Sequence, residues 1–440
     1  MKEVSSNIEL SQPTREAKVD INVMVPMRDR VKLATDIYRP KSRGRFPAIL
    51  VRLPYGKTEA YCEMPAFGWY FAKRGYVFVA QDVRGKYDSE GVFGPHELYS
   101  NESDDGYMTQ EWISNQPWSN GKIGTLGDSY YAYTQWTSAP LQNPHLKTMV
   151  TVVMATDQYG EETYIDGAFH LYSNLGWLYQ MWETKTMLFP DIKPDLVPIN
   201  WRHLPLITAD EASGRVIPFY KEIIKHPNRD SYWKGKSNDY PFKRVAVPVL
   251  HISGWYDLYV RGQLKDYVAM TKRAATPKAR RNQKLVVGAW HHEIPRFGSP
   301  EEREFGPGKD IDFGPNADVD IMALCLRWFD YWLKGIDNGI MDEPPIRIFV
   351  MGENVWRYEN EWPLTRTRYT KYYFHSNGSA NSMYGDGILN TKAPDNPEPP
   401  DTYVYDPNDP VPSAAEDLWY FLNTVKDQRI IEKRDDVLVY

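Results

Sequence analysis

Three features of the chain predict an α/β fold. Short β-branched runs alternate with amphipathic stretches, a polar and aromatic-rich stretch interrupts them midway, and strand-like runs broken by Pro, Gly, Asn and Asp close the sequence. The expected architecture is a mostly parallel sheet covered by helices, with an inserted helical cap and a C-terminal β-sandwich of the jelly-roll kind. The sheet opens with a hairpin-like pair, 21–27 and 31–39, and continues through 46–55, 76–84, 122–126 and 146–154. Helices are predicted between them over 64–75, 104–116 and 129–139, each closed by Gly or Pro. From 155 to 242 helical spacing, several prolines and residues such as Trp177, Tyr179, Trp182 and Trp201 mark the insertion. Buried-strand runs return at 245–257 and 284–290, and a helix is expected over 320–335. After Pro344 the runs IRIFVMG, KYYFHS, TYVYDP and VLVY predict the sandwich.

The division is therefore 1–154 and 243–340 for the two parts of the sheet core, 155–242 for the cap and 341–440 for the jelly roll. The sequence given reaches Tyr440 before eight strands are accounted for, so an incomplete jelly roll with open edges is expected.

At 440 residues the chain needs several domains, and 42% hydrophobic with 25% charged residues is the composition of a folded protein. A net charge of −6 without a basic stripe argues against nucleic acid, whose phosphates require clustered Lys and Arg. No apolar leader and no window of about 20 apolar residues is present, so no membrane partner is expected. Two distant cysteines, Cys62 and Cys325, fit a reducing, cytoplasmic setting and no disulfide or zinc framework. His291 and His292 are adjacent rather than four apart, and no phosphate-binding glycine motif follows a strand. No metal and no cofactor are expected.

The chemistry centres on Gly127-Asp128-Ser129, which follows the strand-like KIGTL and opens a predicted helix. That strand–turn–helix setting is the nucleophile elbow of α/β-hydrolases, which holds a serine hydroxyl above the sheet. A Gly-x-Ser turn alone is commonly structural, and here Tyr131 stands where the second glycine of G-x-S-x-G belongs, so its side chain must point away from the tight contact. An ordinary serine needs a base and an acid that orients the base. Asp257 follows one buried strand run and His292 another, giving the chain order Ser, Asp, His expected of α/β-hydrolases. The N–H of Tyr130, next after the serine, is one expected oxyanion donor. The loop Arg52-Leu53-Pro54-Tyr55-Gly56-Lys57 lacks the HGGG glycines that would expose a second backbone amide. The Tyr55 hydroxyl can substitute as a neutral donor, although taken in isolation Tyr55 reads better as a packed loop residue.

The stretches VMVPMRDRVKLATDIYRP, LPYGK, QDVRGKYDSEGVF, EWISNQPWSNGKIG, GDSYYAYTQW, SGWYD, GAWHH and RWFDYWLKGIDNG resemble the cocaine-esterase-like hydrolases, relatives of the X-Pro dipeptidyl-peptidases and α-amino-acid ester hydrolases. The resemblance covers the chain from about residue 20 onward. It implies a catalytic α/β domain, a helical cap and a jelly roll, with serine at Ser129, acid at Asp257, base at His292 and oxyanion tyrosine at Tyr55. It also selects His292 over His291, because the family's histidine stands two after the Trp of its G-P-W-x-H motif. Ala289 replaces the proline of that motif, and no further carboxylates follow Asp257 in Asp257-Leu258-Tyr259-Val260, where amino-ester hydrolases bind a substrate ammonium.

A serine hydrolase acting on a small-molecule ester or amide is the resulting expectation, with Asp157, Phe169, Trp177, Trp182 and Tyr259 as substrate-contact candidates. A homo-oligomer is left open. Alternatives are an X-Pro dipeptidyl-peptidase or amino-ester hydrolase, and a non-catalytic binding protein on a hydrolase scaffold. The peptidase would need an anionic anchor, for which Glu161 and Glu162 are candidates set against their reading as a solvated charge run.

Overall fold

A computed structural model describes residues 10–94, 99–182, 185–186, 199–292, 313–412, 414 and 427–440. Its centre is a ten-stranded sheet in the order β1-β2-β4-β3-β5-β6-β9-β10-β11-β12. The first six strands are β1 (Ala17–Pro26), β2 (Lys32–Pro40), β3 (Phe46–Leu53), β4 (Val77–Asp82), β5 (Ser119–Asp128) and β6 (Leu146–Val152). The antiparallel pair β1 and β2 meets the sheet at β4, and from β4 to β11 every pairing is parallel.

β3 and β4 are near-continuous apolar runs because a parallel sheet is covered on both faces. Their two-residue alternation sends Ile49, Val51 and Leu53 into the main core and Ala48 and Leu50 into a second cluster with Val77, Val79 and Ile123. Helices α1 (Met64–Lys73), α2 (Tyr99–Ser114) and α3 (Tyr130–Ser138) make the crossovers, close to their predicted ranges.

The segment between β6 and the next sheet strand is an insertion with its own core of Tyr164, Leu178, Tyr179, Phe219, Tyr220 and Trp233. Its elements are short: π-helical turns over Tyr159–Thr163 and Tyr172–Trp177, the hairpin β7 (Tyr164–Ile165) and β8 (Ala168–Phe169), and helices α4 (Leu178–Met181), α5 (Ala209–Ala212) and α6 (Pro218–Lys225).

The sheet resumes with β9 (Val249–Gly254), followed by α7 (Val260–Arg273) and α8 (Pro277–Arg281), then β10 (Lys284–Gly288) and α9 (Ile321–Phe329). The run IRIFVMG departs from expectation. As β11 (Ile346–Val350) it pairs in parallel with β10, and β12 (Val355–Glu359) turns back antiparallel to it, so both extend the main sheet instead of starting the sandwich. Burial explains the placement: Ile346 and Ile348 pack with Leu285 and Val287 of β10 and Tyr267 of α7. Beyond them the described C-terminal residues form the antiparallel pair β13 (Tyr373–His375) and β14 (Ile388–Asn390), a bridge between Asn381 and Leu438, and α10 (Arg429–Glu432). The run TYVYDP forms no strand, and its Tyr403, Val404 and Tyr405 are exposed. Among the described residues, no helix is long and apolar enough to cross a membrane.

Candidate active site

Ser129 sits between β5 and α3 with φ 51° and ψ −123°, a strained backbone for any residue but glycine. The turn closes tightly. A Cβ on Gly127 would lie 2.3 Å from the Cβ of Tyr131, so the glycine is required there, whereas Tyr131 turns its ring away and donates its hydroxyl to Cys62 Sγ at 3.0 Å.

Asp257 and His292 follow β9 and β10, neighbouring parallel strands, so sheet register brings them to the same edge as Ser129. His292 Nδ1 lies 2.5 Å from Asp257 Oδ2, and Nε2 lies 2.9 Å from Ser129 Oγ. With the Nδ1 proton donated to the carboxylate, Nε2 is left to accept from the serine hydroxyl. The Asp257 side chain is wholly buried, and its second oxygen accepts the Tyr259 N–H at 2.8 Å. The Tyr259 ring stands 5.7 Å from the imidazole, centroid to centroid.

Tyr55 follows β3, with its ring against those of Tyr130 and Tyr131. Burial drives its hydroxyl far above the ordinary phenol range, so it stays protonated. The Trp177 indole donates to Tyr55 Oη at 3.1 Å, occupying an oxygen lone pair and leaving the phenol's own proton to be donated elsewhere. The Tyr55 loop is fixed by a residue the sequence reading missed. Asp82, at the end of β4, accepts the Lys57 N–H at 2.8 Å and the Lys57 ammonium at 3.0 Å. Desolvation, opposed by Lys57, pushes Asp82 up to about 6.

The remaining sequence candidates divide. Tyr259 and Trp177 lie beside His292 and Tyr55. Phe169 and Trp182 instead pack inside the insertion, Phe169 against Tyr164 and Tyr220, Trp182 against Phe219. Asp157 is ion-paired with Arg229 at 2.9 Å and caps the Gly160 N–H. The acidic pair is not a solvated charge run. Glu161 is buried and held by Arg261 at 2.9 Å and Lys265 at 2.7 Å, while Glu162 interacts electrostatically with both His292 and Tyr55. Glu162 as a whole is only partly buried, yet desolvation dominates at its carboxyl and pushes it up to about 7, opposed by His292. Glu161 and Glu162 both lie in the π-helical turn over Tyr159–Thr163.

Comparison with known proteins identifies the family of the chain. Residues 29–293 match the family described as X-Pro dipeptidyl-peptidase (S15 family), and residues 338–440 match the X-Pro dipeptidyl-peptidase C-terminal non-catalytic domain. The chain is 35% identical to cocaine esterase of Rhodococcus sp. (strain MB1 Bresler) over 438 residues, which is 95% of this chain and 73% of that protein. Among solved structures it is similar to an α-amino acid ester hydrolase, with TM-score 0.73, 25% identity and coverage of 99% of this chain and 74% of that one. An aminopeptidase from the marine sediment archaeon Thaumarchaeota archaeon gives the same TM-score and identity, covering 100% of this chain and 74% of that one. The chain belongs to the S15 family of X-Pro dipeptidyl-peptidases and is a serine hydrolase on the α/β-hydrolase fold.

Proposed function

We propose that the chain hydrolyses carboxylic esters through an acyl-enzyme on Ser129. The observation that carries this reading is the continuous chain Ser129 Oγ, His292, Asp257, with separations of 2.9 and 2.5 Å. The serine oxygen attacks the substrate carbonyl carbon while its proton passes to His292 Nε2. The carbonyl oxygen becomes an oxyanion and accepts from the Tyr55 hydroxyl and the Tyr130 N–H. The latter heads α3, where first-turn N–H groups have no acceptor within the helix. Collapse expels the alcohol, which takes the proton from His292. Water then attacks the acyl carbon with His292 again as base, releasing the acid and restoring Ser129. Asp257 holds the imidazole in the required tautomer and stabilises the imidazolium.

In this reading residues 155–242 act as a cap over the sheet edge and 341–440 as an accessory β-domain that shares β11 and β12 with the core. Release of p-nitrophenol from short acyl esters, and fluorophosphonate labelling lost in Ser129→Ala, are expected. A Ser129→Ala protein retaining the wild-type rate would sink the proposal, since losing a triad nucleophile costs on the order of 10⁴ or more in kcat.

Glu162 favours a second reading, in which the ester or amide carries an α-ammonium group. A desolvated carboxyl near both His292 and Tyr55 is placed to attract a cation close to the reacting carbonyl. Rates on amino esters and dipeptide amides against neutral esters of equal size separate the two readings.

A further inference from the structure

The two proposed oxyanion donors come from different elements, Tyr55 from the loop after β3 and Tyr130 from the head of α3, and nothing in the triad fixes their separation. A second, buried network links the two elements. Tyr130 Oη donates to Glu102 Oε1 of α2 at 3.2 Å. The other Glu102 oxygen lies 3.0 Å from Arg52, whose guanidinium also donates to the Glu102 carbonyl at 2.9 Å and to Gln81 at 2.9 Å. Arg52 is in β3, three positions before Tyr55, and its carbonyl accepts from Thr134 of α3 at 3.3 Å. The circuit closes above the sheet. The Tyr130 ring stacks on Trp177 at 5.8 Å, and Trp177 donates to the Tyr55 hydroxyl.

We propose that Glu102, clamped by Arg52, is a positioning residue that sets the Tyr130 N–H and the Tyr55 hydroxyl at a common point. This rests on the assignment of those two groups as oxyanion donors. Glu102 and Arg52 are each at most 4% exposed at the side chain, and a buried ion pair is a weak source of stability because desolvation offsets the attraction. Its use is geometric. The Tyr130 phenol is kept protonated by burial and by the neighbouring carboxylate, so it donates to Glu102, and the side chain cannot swing about its Cα–Cβ bond without losing that hydrogen bond. Since the N–H belongs to the same residue, anchoring the far end of the ring restrains the donor.

The test uses Tyr130→Phe, Glu102→Gln and the double variant, with kcat and KM for a p-nitrophenyl ester, affinity for a trifluoromethyl ketone that forms a tetrahedral adduct, and thermal unfolding. A misplacement of about 1 Å costs up to ~10²-fold, so loosening one anchor is expected to lower kcat about tenfold in Tyr130→Phe. KM should stay within about twofold, and ketone affinity should weaken by the same factor as kcat. Glu102→Gln leaves a single oxygen that cannot serve both Arg52 and the Tyr130 hydroxyl, so it should cost at least as much. The double variant should cost no more than Glu102→Gln, because both substitutions act on the same contact. Tyr130→Phe keeps the ring against Trp177, so it carries the test if Glu102→Gln fails to fold. Wild-type kcat and ketone affinity in Tyr130→Phe, with or without a lower unfolding temperature, would overturn the positioning role. If Ser129→Ala also kept its rate, the failure would lie in the hydrolytic reading instead.

Discussion

Ser129, Asp257 and His292 follow strands that are wholly buried in β9 and β10 and buried from Ile123 to Gly127 in β5, and each is delivered to the sheet edge by parallel pairing. Trp177 and Glu162 reach the same place from π-helical turns in an insertion whose hairpin strands have two residues each and whose α-helices, among the described residues, have four to eight. Both regions are rich in aromatics, so composition does not separate them. What differs is how the backbone is held. A long ladder fixes atoms to the tolerance that proton transfer and oxyanion binding require, while short turns fix surfaces and charges. Under the proposed mechanism bond-making falls to the sheet and substrate choice to the insertion, and substitutions in each should behave accordingly.

Asp257→Asn should give the largest effect. It leaves the shape in place but offers the wrong partner to His292 Nδ1, and about 10⁴-fold in kcat is expected, read by steady-state hydrolysis of a neutral ester. Tyr55→Phe follows, at about 10²–10³-fold in kcat with little change in KM, the scale of a single oxyanion donor. Any substitution in the insertion that matched these losses on a neutral ester would break the division of labour.

Glu162→Gln tests the other side. For a cationic amino ester KM should rise about tenfold, the scale of one partly screened charge contact, whereas a neutral ester of the same size should change by less than about twofold. The pH dependence has a definite sign. Burial raises this carboxyl from its ordinary 4.5 to about 7, so it is neutral at pH 6 and ionised at pH 8. Preference for the cationic ester should therefore grow across that interval and be flat in Glu162→Gln. Because the folded state holds this proton more tightly than the unfolded chain, stability from this group falls as pH rises from about 4.5 to 7, and the substitution should flatten that part of the curve.

How much of this was legible in the sequence follows the same contrast. The choice of His292 over His291 rests on the family resemblance, whereas Ser129 and Asp257 could be proposed because strand, turn and helix are local patterns and strand ends are where such folds build sites. The partners that steady them could not. Lys57 and Asp82 are 25 residues apart and Tyr130 and Glu102 are 28 apart, and no periodicity relates an acid on one element to a hydroxyl or ammonium on another. In the insertion, Glu161-Glu162 has the pattern of a surface pair, and nothing local shows that Glu161 is buried against Arg261 while Glu162 interacts electrostatically with His292. The strand Ile346–Val350 was found but given to the wrong sheet, since an alternating apolar run does not say which neighbour it pairs with.

Phe169 offers the smallest expected effect and the sharpest use of the comparison inside the insertion itself. Its ring packs against Tyr164 and Tyr220, 5.4 and 6.1 Å between centroids, within the insertion's own cluster. Replacing it by Leu keeps an apolar side chain of lower volume, so a stability loss of about 1 kcal/mol is expected, seen as a small drop in unfolding temperature. kcat and KM for neutral and cationic esters should both stay within about twofold. A KM that moved fivefold or more for either substrate, with unfolding unchanged, would mean that the ring faces the substrate, and the surface that selects it would extend from Trp177 and Glu162 through the hairpin.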